Sequence, residues 1–157
     1  MAESSAKRRK REPLKIGLLG CGAINSTVAN MIASGEAGHA VLSAVLTRTE
    51  RSKEDIQTLL PNDASSVSFE TDPDLFFARD WDLCVEAAGQ PAVRQHAKRC
   101  LEMGRDILIT SIGALTDDGL YQELSETAEA SGSRLILCTG SMPALDWMGS
   151  AALADCE

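Results

Sequence analysis

Short apolar runs alternate with amphipathic stretches along most of this 157-residue chain. Runs of aliphatic residues too short to be helices predict strands, and apolar residues spaced three and four apart predict helices. The predicted strands cover 14–19, 40–46, 67–69, 83–86, 106–110 and 134–138. The predicted helices cover 24–34, 52–60, 91–103 and 117–130, with a helical turn near 72 and a last helix that begins near 143.

The alternation of strand and helix predicts the fold class. Helical crossovers between strands are right-handed and give parallel sheets, which are buried on both faces by helices. The aliphatic composition, 44% hydrophobic with only 4% aromatic residues, suits such a core. We therefore expect an α/β, doubly wound, mostly parallel sheet of the Rossmann type, with about six strands and helices on both faces. Ligands of such sheets bind beyond the carboxyl ends of the strands.

Charge divides the chain into two predicted parts, a disordered basic tail over 1–13 and one folded domain over 14–157. The net charge is −8 although residues 7–11 are all basic. Without this basic run, the predicted domain is more negative than the whole chain. A domain with this much negative charge is not expected to bind nucleic acid. The basic run is either a nuclear targeting signal or a solvated tail. Without an apolar stretch long enough for a membrane span or a secretory signal, we expect a cytoplasmic protein, with a nuclear location as the alternative.

Cysteine and histidine spacing argues against a metal site. The five cysteines include no C-x-x-C pair, and the chain has only two histidines. Cys84 and Cys138 lie in apolar runs and are expected to be buried. Cys21 lies in a glycine-rich turn. It is either a redox-active residue or a small residue that only fills space there.

That turn, 20–25, is the most informative motif. It joins the first strand to the first helix, so that backbone N–H groups and the helix dipole converge where a pyrophosphate can bind. Gly20 permits the sharp turn, and Gly22 leaves space for a phosphate. The third glycine of the G-x-G-x-x-G pattern is replaced by Asn25. The alternative is a tight turn without a ligand.

The loops after other strands carry further candidate residues. An NAD site usually has an acidic residue after the second strand, but this chain has Arg48, which suits the 2′-phosphate of NADP. Alternatively, Arg48 is a solvated surface residue. The loops 86–91 and 111–114 are rich in small residues, which allow a ligand to approach the backbone closely. The alternative is that these small residues only allow ordinary packing of a strand on a helix.

Together these motifs resemble the NAD(P)-binding half of the L-aspartate dehydrogenases, within the group that shares a homoserine-dehydrogenase-type nucleotide-binding domain. The resemblance covers about 14 to 157. It depends on the turn 20–25, on Val-Glu-Ala-Ala-Gly at 85–89, on Ser-Ile-Gly-Ala-Leu at 111–115 with Asp117, and on Thr-Gly-Ser at 139–141 before Leu-Asp at 145–146. The segment 111–115 is its most specific part.

The resemblance implies NAD or NADP as cofactor and oxidative deamination of L-aspartate, a small amino-acid substrate, to oxaloacetate and ammonia through iminoaspartate. The residues it assigns to the cofactor, besides Arg48, are Gly20, Gly22, Ala23 and Ile24 at the pyrophosphate and Ala87, Ala88, Gly113 and Ala114 near the ribose and nicotinamide. A homo-oligomer is possible.

Three departures from the family pattern stand out. Asn25 is expected to loosen the packing of helix on strand at the phosphate. Pro143 and Ala144 replace small residues that usually include glycine. The family's second domain, with its catalytic histidine, is not found in the 157 residues, so the chain is expected to be truncated, with no catalytic residue of its own and little turnover.

Neither histidine is expected to replace the missing one. His39 lies at the wrong edge of the sheet, and His96 is expected to face solvent. Two alternatives to the dehydrogenase are a stand-alone NAD(P)-binding regulatory or redox-sensing module and a relative of homoserine dehydrogenase or dihydrodipicolinate reductase. A relative of homoserine dehydrogenase or dihydrodipicolinate reductase explains the segment 111–115 less well.

Overall fold

The computed structural model describes residues 12–61 and 65–139, and strands and helices alternate through both ranges. The strands are β1 (Leu14–Leu19), β2 (Ala40–Leu46), β3 (Ser68–Glu70), β4 (Leu83–Glu86), β5 (Asp106–Ile109) and β6 (Leu135–Leu137). The helices are α1 (Ala23–Ala33), α2 (Lys53–Leu59), α3 (Pro73–Phe77), α4 (Gln90–Glu102) and α5 (Asp118–Ser131), and a 3₁₀ turn covers Ile112–Thr116.

All six strands form one parallel sheet in the order β3-β2-β1-β4-β5-β6. The chain starts in the middle at β1, runs to one edge at β3, and then crosses to the other side of β1 at β4. The order of strands therefore reverses between β1 and β4, and this is where doubly wound sheets bind ligands. The predicted fold class is confirmed.

The sheet has a buried cluster on each face. Neighbouring residues of a strand point to opposite faces, so Leu18 and Leu19 belong to different clusters. One cluster joins the sheet to α3, α4 and α5 and contains Phe76, Phe77 and Trp81. The other joins it to α1 and contains Ile32. Because both faces are buried, β1 and β2 are almost continuously apolar.

Polar caps set the starts of three helices. The side chains of Ser52, Asp72 and Asp117 accept N–H bonds in the first turns of α2, α3 and α5. At the other end of α5, Gly132 has φ +71° in the left-handed region, as glycine at a helix end commonly does. The predicted helix boundaries are correct to within about one residue, and at the starts of α2, α3 and α5 these capping residues mark them.

One prediction about the core is wrong. Cys84 is fully buried in β4, but Cys138 is exposed. The reason is its position, because Cys138 directly follows β6, which is the edge strand of the sheet. The basic run 7–11, the last helix and the division of the chain at 13/14 concern residues wholly or partly outside the described ranges. In the described ranges, the helices are too short or too polar to cross a membrane.

Candidate functional site

The turn after β1 uses its two glycines in different ways. Gly20 has φ +85°, and a Cβ there would lie 2.8 Å from the Cβ of Ala88. Gly20 is thus required both by the backbone and by its close contact with the loop after β4. Gly22, at the N-terminus of α1, has an ordinary φ of −87°, and a Cβ there would meet no other described residue within 4 Å. The space in front of this helix end is therefore open.

Asn25 holds the turn together. Its side chain is fully buried, and Nδ2 donates to the carbonyl oxygens of Leu19 and Gly20 at 3.0 Å each and of Val85 at 3.3 Å. The expectation that Asn25 loosens the packing at this point is wrong, because the amide connects α1 to both central strands. A glycine could make none of these three contacts.

A cleft of about 960 Å³ opens at the carboxyl ends of the strands, between the loops after β1, β2 and β4 and the start of α4. Five of the predicted site residues line it: Gly20, Gly22, Arg48, Ala87 and Ala88. Since these residues come from three separate loops, the fold brings together positions that are far apart in sequence.

Four other predicted site residues lie outside the lining of this cleft. Ala23 and Ile24 are exposed in the first turn of α1, and Ile24 is 59% exposed. Ala114 is fully buried in the core, and a Cβ on Gly113 would lie 2.6 Å from Nε2 of Gln90. Ala114 thus packs into the core and does not line the cleft, whereas the place of Gly113 near the cofactor stays a prediction.

Arginine side chains give the cleft its charge. Arg48 and Arg51 both line it, and among the described residues no carboxylate does. Nη2 of Arg51 donates to the carbonyl oxygen of Cys21 at 2.7 Å, which fixes the guanidinium beside the turn 20–25. Arg51 was not among the predicted site residues. Its spacing of three from Arg48 was the available signal, but its contact with a residue 30 positions away was not readable from sequence.

His96 is buried, contrary to the sequence expectation. It lines the cleft, and its ring centroid lies 6.1 Å from that of Phe77. Burial, and secondarily the charge of Arg99, lowers the pKa of His96 below its usual value. A signal was present, because His96 stands three residues after Val93 and four before Cys100, both of which are buried.

Glu86, the last residue of β4, is the buried carboxylate of the site. It is fully buried and accepts four hydrogen bonds, from the N–H groups of Ala88, Gly89 and Ser111 and from the Ser111 hydroxyl. The sequence singled out this segment for its small residues and for the family resemblance, and it assigned no role to Glu86 itself. Glu86 joins the loop after β4 to the loop after β5.

Comparison with known proteins gives L-aspartate dehydrogenases as relatives. The chain is 34% identical over 144 residues to the L-aspartate dehydrogenase of Methanocaldococcus jannaschii, which covers 92% of this chain and 52% of that protein. L-aspartate dehydrogenase 2 of Bordetella bronchiseptica is 46% identical over 74 residues, 47% of this chain and 28% of that protein. The chain thus spans about half the length of the relative that it matches over most of its residues.

Solved structures share the fold. Aspartate dehydrogenase from Thermotoga maritima superposes with a TM-score of 0.58 at 18% identity, over 87% of this chain and 50% of that one. The WlbA dehydrogenase from Bordetella pertussis, solved in complex with NADH and UDP-GlcNAcA, has a TM-score of 0.62 at 19% identity, over 81% of this chain and 37% of that one.

A family model described as the NAD binding domain of homoserine dehydrogenase matches residues 20–137. This range runs from Gly20, directly after β1, to the end of β6, and it contains every described residue that lines the cleft except Leu19. The chain belongs to this family of homoserine-dehydrogenase-type NAD-binding domains.

Proposed function

We propose that the protein is an NAD(P)-dependent oxidoreductase acting on the CH–NH₂ group of L-aspartate, and that this chain supplies the cofactor-binding part. When bound, the nicotinamide would accept a hydride from the Cα of aspartate while the amine gives up a proton, and water would hydrolyse the iminoaspartate product to oxaloacetate and ammonia. The L-aspartate dehydrogenases among its relatives support the substrate.

The observation that carries the proposal is the open space at Gly22. A Cβ at this position would stand in front of the α1 N-terminus and touch no other part of the protein. The first N–H groups of a helix have no partner within the helix and attract anions. Gly22 therefore leaves room for a pyrophosphate, and the residues present fit a dinucleotide. We assign Ala23 and Ile24 to the same end through their backbone N–H groups alone.

The two halves of the sheet predict the orientation of the bound dinucleotide. In doubly wound folds each half binds one mononucleotide. We assign Arg48 and Arg51, which follow β2, to the adenosine half, and Ala87 and Ala88, at the reversal of strand order, to the middle of the cofactor. Gly113 lies after β5, on the nicotinamide side, and together with Ala114 it supports the loop there by packing.

Arginine placement supports use of the 2′-phosphate of NADP. Arg79, Arg94, Arg99 and Arg134 each pair with a carboxylate, whereas in the described part of the chain Arg48 and Arg51 pair with none. Their guanidinium groups stay available to an anion. We expect Arg51→Gln and Arg48→Gln each to weaken binding of 2′,5′-ADP about tenfold, and binding of 5′-ADP little. Equal losses for both probes would contradict this specificity.

Proton transfer is not assigned to a side chain in the described ranges. His96 lines the same cleft as Arg48, and its ring packs near Phe77. General acid–base catalysis needs a group within hydrogen-bond reach of the reacting amine. We therefore propose that the 157-residue chain binds NAD(P) and turns over little aspartate. Aspartate-dependent NAD(P)H formation by this chain would contradict the proposal that it binds the cofactor with little turnover.

The deciding experiment compares two alanine substitutions of glycine. Gly22→Ala should keep its melting temperature within a few degrees but weaken NAD(P) binding by about tenfold or more, because the methyl group occupies the phosphate space. Gly119→Ala, in the first turn of α5 away from the cleft, is the matched control and should bind normally. Titration calorimetry measures NAD(P) binding by the two variants, and thermal unfolding gives their melting temperatures. If the wild type bound neither NAD nor NADP, or Gly22→Ala bound as tightly, the proposal would fail.

A further inference from the structure

The side chain of Glu86 is a buried charge with neutral partners only. Oε1 accepts from the N–H of Ala88 at 2.7 Å, the N–H of Gly89 at 2.9 Å and the hydroxyl of Ser111 at 2.9 Å. Oε2 accepts from the N–H of Ser111 at 3.1 Å. All four contacts present donors to the carboxyl group. The three N–H groups can only donate, so both carboxyl oxygens of Glu86 accept hydrogen bonds from the backbone.

No cation offsets this carboxylate within residues 12–61 and 65–139. The ion pairs found there involve other acidic residues, all of them at least partly exposed. A fully buried ionised group is normally paired or bound to a metal, because loss of hydration is costly. Backbone N–H groups and a hydroxyl stabilise Glu86 instead, and no cationic side chain of the described residues pairs with it.

Glu86 also holds two loops of the site in place. Its Oε1 fixes the loop after β4, where Gly89 has φ +103° and Ala88 packs against Gly20. Its bonds to Ser111 fix the start of the loop after β5. Its own carbonyl oxygen accepts from the N–H and the hydroxyl of Thr110 at 3.1 and 2.9 Å. The loops that frame the β4–β5 end of the site therefore converge on one residue.

We propose that Glu86 is a positioning residue that also makes the site favour the oxidised cofactor. This inference depends on the proposed function, which places the nicotinamide on the β4–β6 half of the sheet. The oxidised nicotinamide ring is cationic and the reduced ring is neutral, so a buried carboxylate at this end of the sheet stabilises the oxidised form. The same hydrogen bonds hold the loops after β4 and β5 in place for both the oxidised and the reduced cofactor.

The test measures the dissociation constants of NADP⁺ and NADPH for the full 157-residue chain and three variants. Glu86→Gln keeps the shape and removes the charge. We expect it to weaken NADP⁺ binding at least about fivefold more than NADPH binding. Ser111→Ala removes one donor but keeps the carboxylate, and should leave the ratio of the two constants unchanged. Glu102→Gln removes an exposed charge at the far end of α4 and controls for net charge.

Equal weakening of both forms by Glu86→Gln, or none, would overturn the inference. If Glu86→Gln does not fold, Glu86→Asp serves instead. Its shorter side chain keeps the charge but not the hydrogen bonds, so both affinities should fall together at a constant ratio, and a changed ratio would overturn the inference. Failure of the proposed function is a separate result, since the wild type would then bind neither NADP⁺ nor NADPH.

Discussion

The side-chain amide of Asn25 donates to the carbonyl oxygen of Leu19 across 3.0 Å, which joins the first turn of α1 to the last residue of β1. The same nitrogen also contacts the carbonyl oxygens of Gly20 and Val85. An NH₂ group has two hydrogens, so three acceptors share them. Asn25 thus replaces the close packing that a third glycine gives with a polar connection between two strands and a helix.

We expect Asn25→Ala to reduce the free energy of unfolding by about 1–3 kcal/mol, because a buried donor that serves three carbonyl groups is lost. Urea unfolding followed by circular dichroism measures the change. Asn30→Ala is the matched control on the same helix, because Asn30 is exposed and its side chain donates to the carbonyl oxygen of Ser26 within the helix. Equal effects of the two substitutions would contradict the role given to Asn25.

Gly17, in the middle of β1, lies against the aromatic cluster. A Cβ there would be 3.0 Å from two ring atoms of Trp81 and 3.1 Å from Cζ of Phe76. We expect Gly17→Ala to cost about 1–3 kcal/mol of stability through overpacking. Trp81→Phe should relieve part of this cost, so a double-mutant cycle should show coupling between the two positions. Strict additivity would contradict direct contact as the cause.

The stability of the domain should depend on pH through His96. Burial lowers the pKa of His96 from its ordinary 6.5, so the unfolded chain binds the proton more readily. The stabilisation is fully present above pH 6.5 and is lost as the pH falls below it. Unfolding free energies measured between pH 7 and pH 5 should therefore fall less steeply in His96→Gln than in the wild type. Identical slopes would contradict the burial of His96.

The cysteines should differ in reactivity. Cys138 is exposed, whereas Cys84 and Cys100 are fully buried. Burial also raises the pKa of Cys84 well above its usual value, and Cys100 adds to the shift. Brief treatment of the native protein with iodoacetamide at pH 8, followed by peptide mass spectrometry, should modify Cys138 and leave the other two unmodified. After unfolding in guanidinium, all three should react. Modification of Cys84 in the folded state would contradict this.

Local patterns were sufficient for most of the fold. The bounds of β1, β2 and β4 follow from apolar runs that end at a glycine or a polar residue, and Asp117 and Gly132 mark the ends of α5. These signals work because strand and helix boundaries depend on neighbours in sequence.

The candidate site was predicted only in part. Gly20 and Gly22 were found because a turn of this kind has its own local chemistry. The roles of Glu86, Asn25 and Arg51 depend on partners up to 25, 60 and 30 positions away, and only the folded sheet brings these together. The sequence identifies such residues as polar but does not indicate what they contact.

The central position of β1 also affects how the chain can fold during synthesis. The backbone N–H of Lys15, in β1, donates to the carboxylate of Asp82, 67 residues later, just before β4 begins. β1 can pair with β2 soon after both are made, but its other edge stays open until β4 leaves the ribosome. At about 5–20 residues per second, that interval lasts several seconds. An apolar strand with an open edge is prone to aggregation, so slower translation of the segment between β2 and β4 should lower the yield of folded protein.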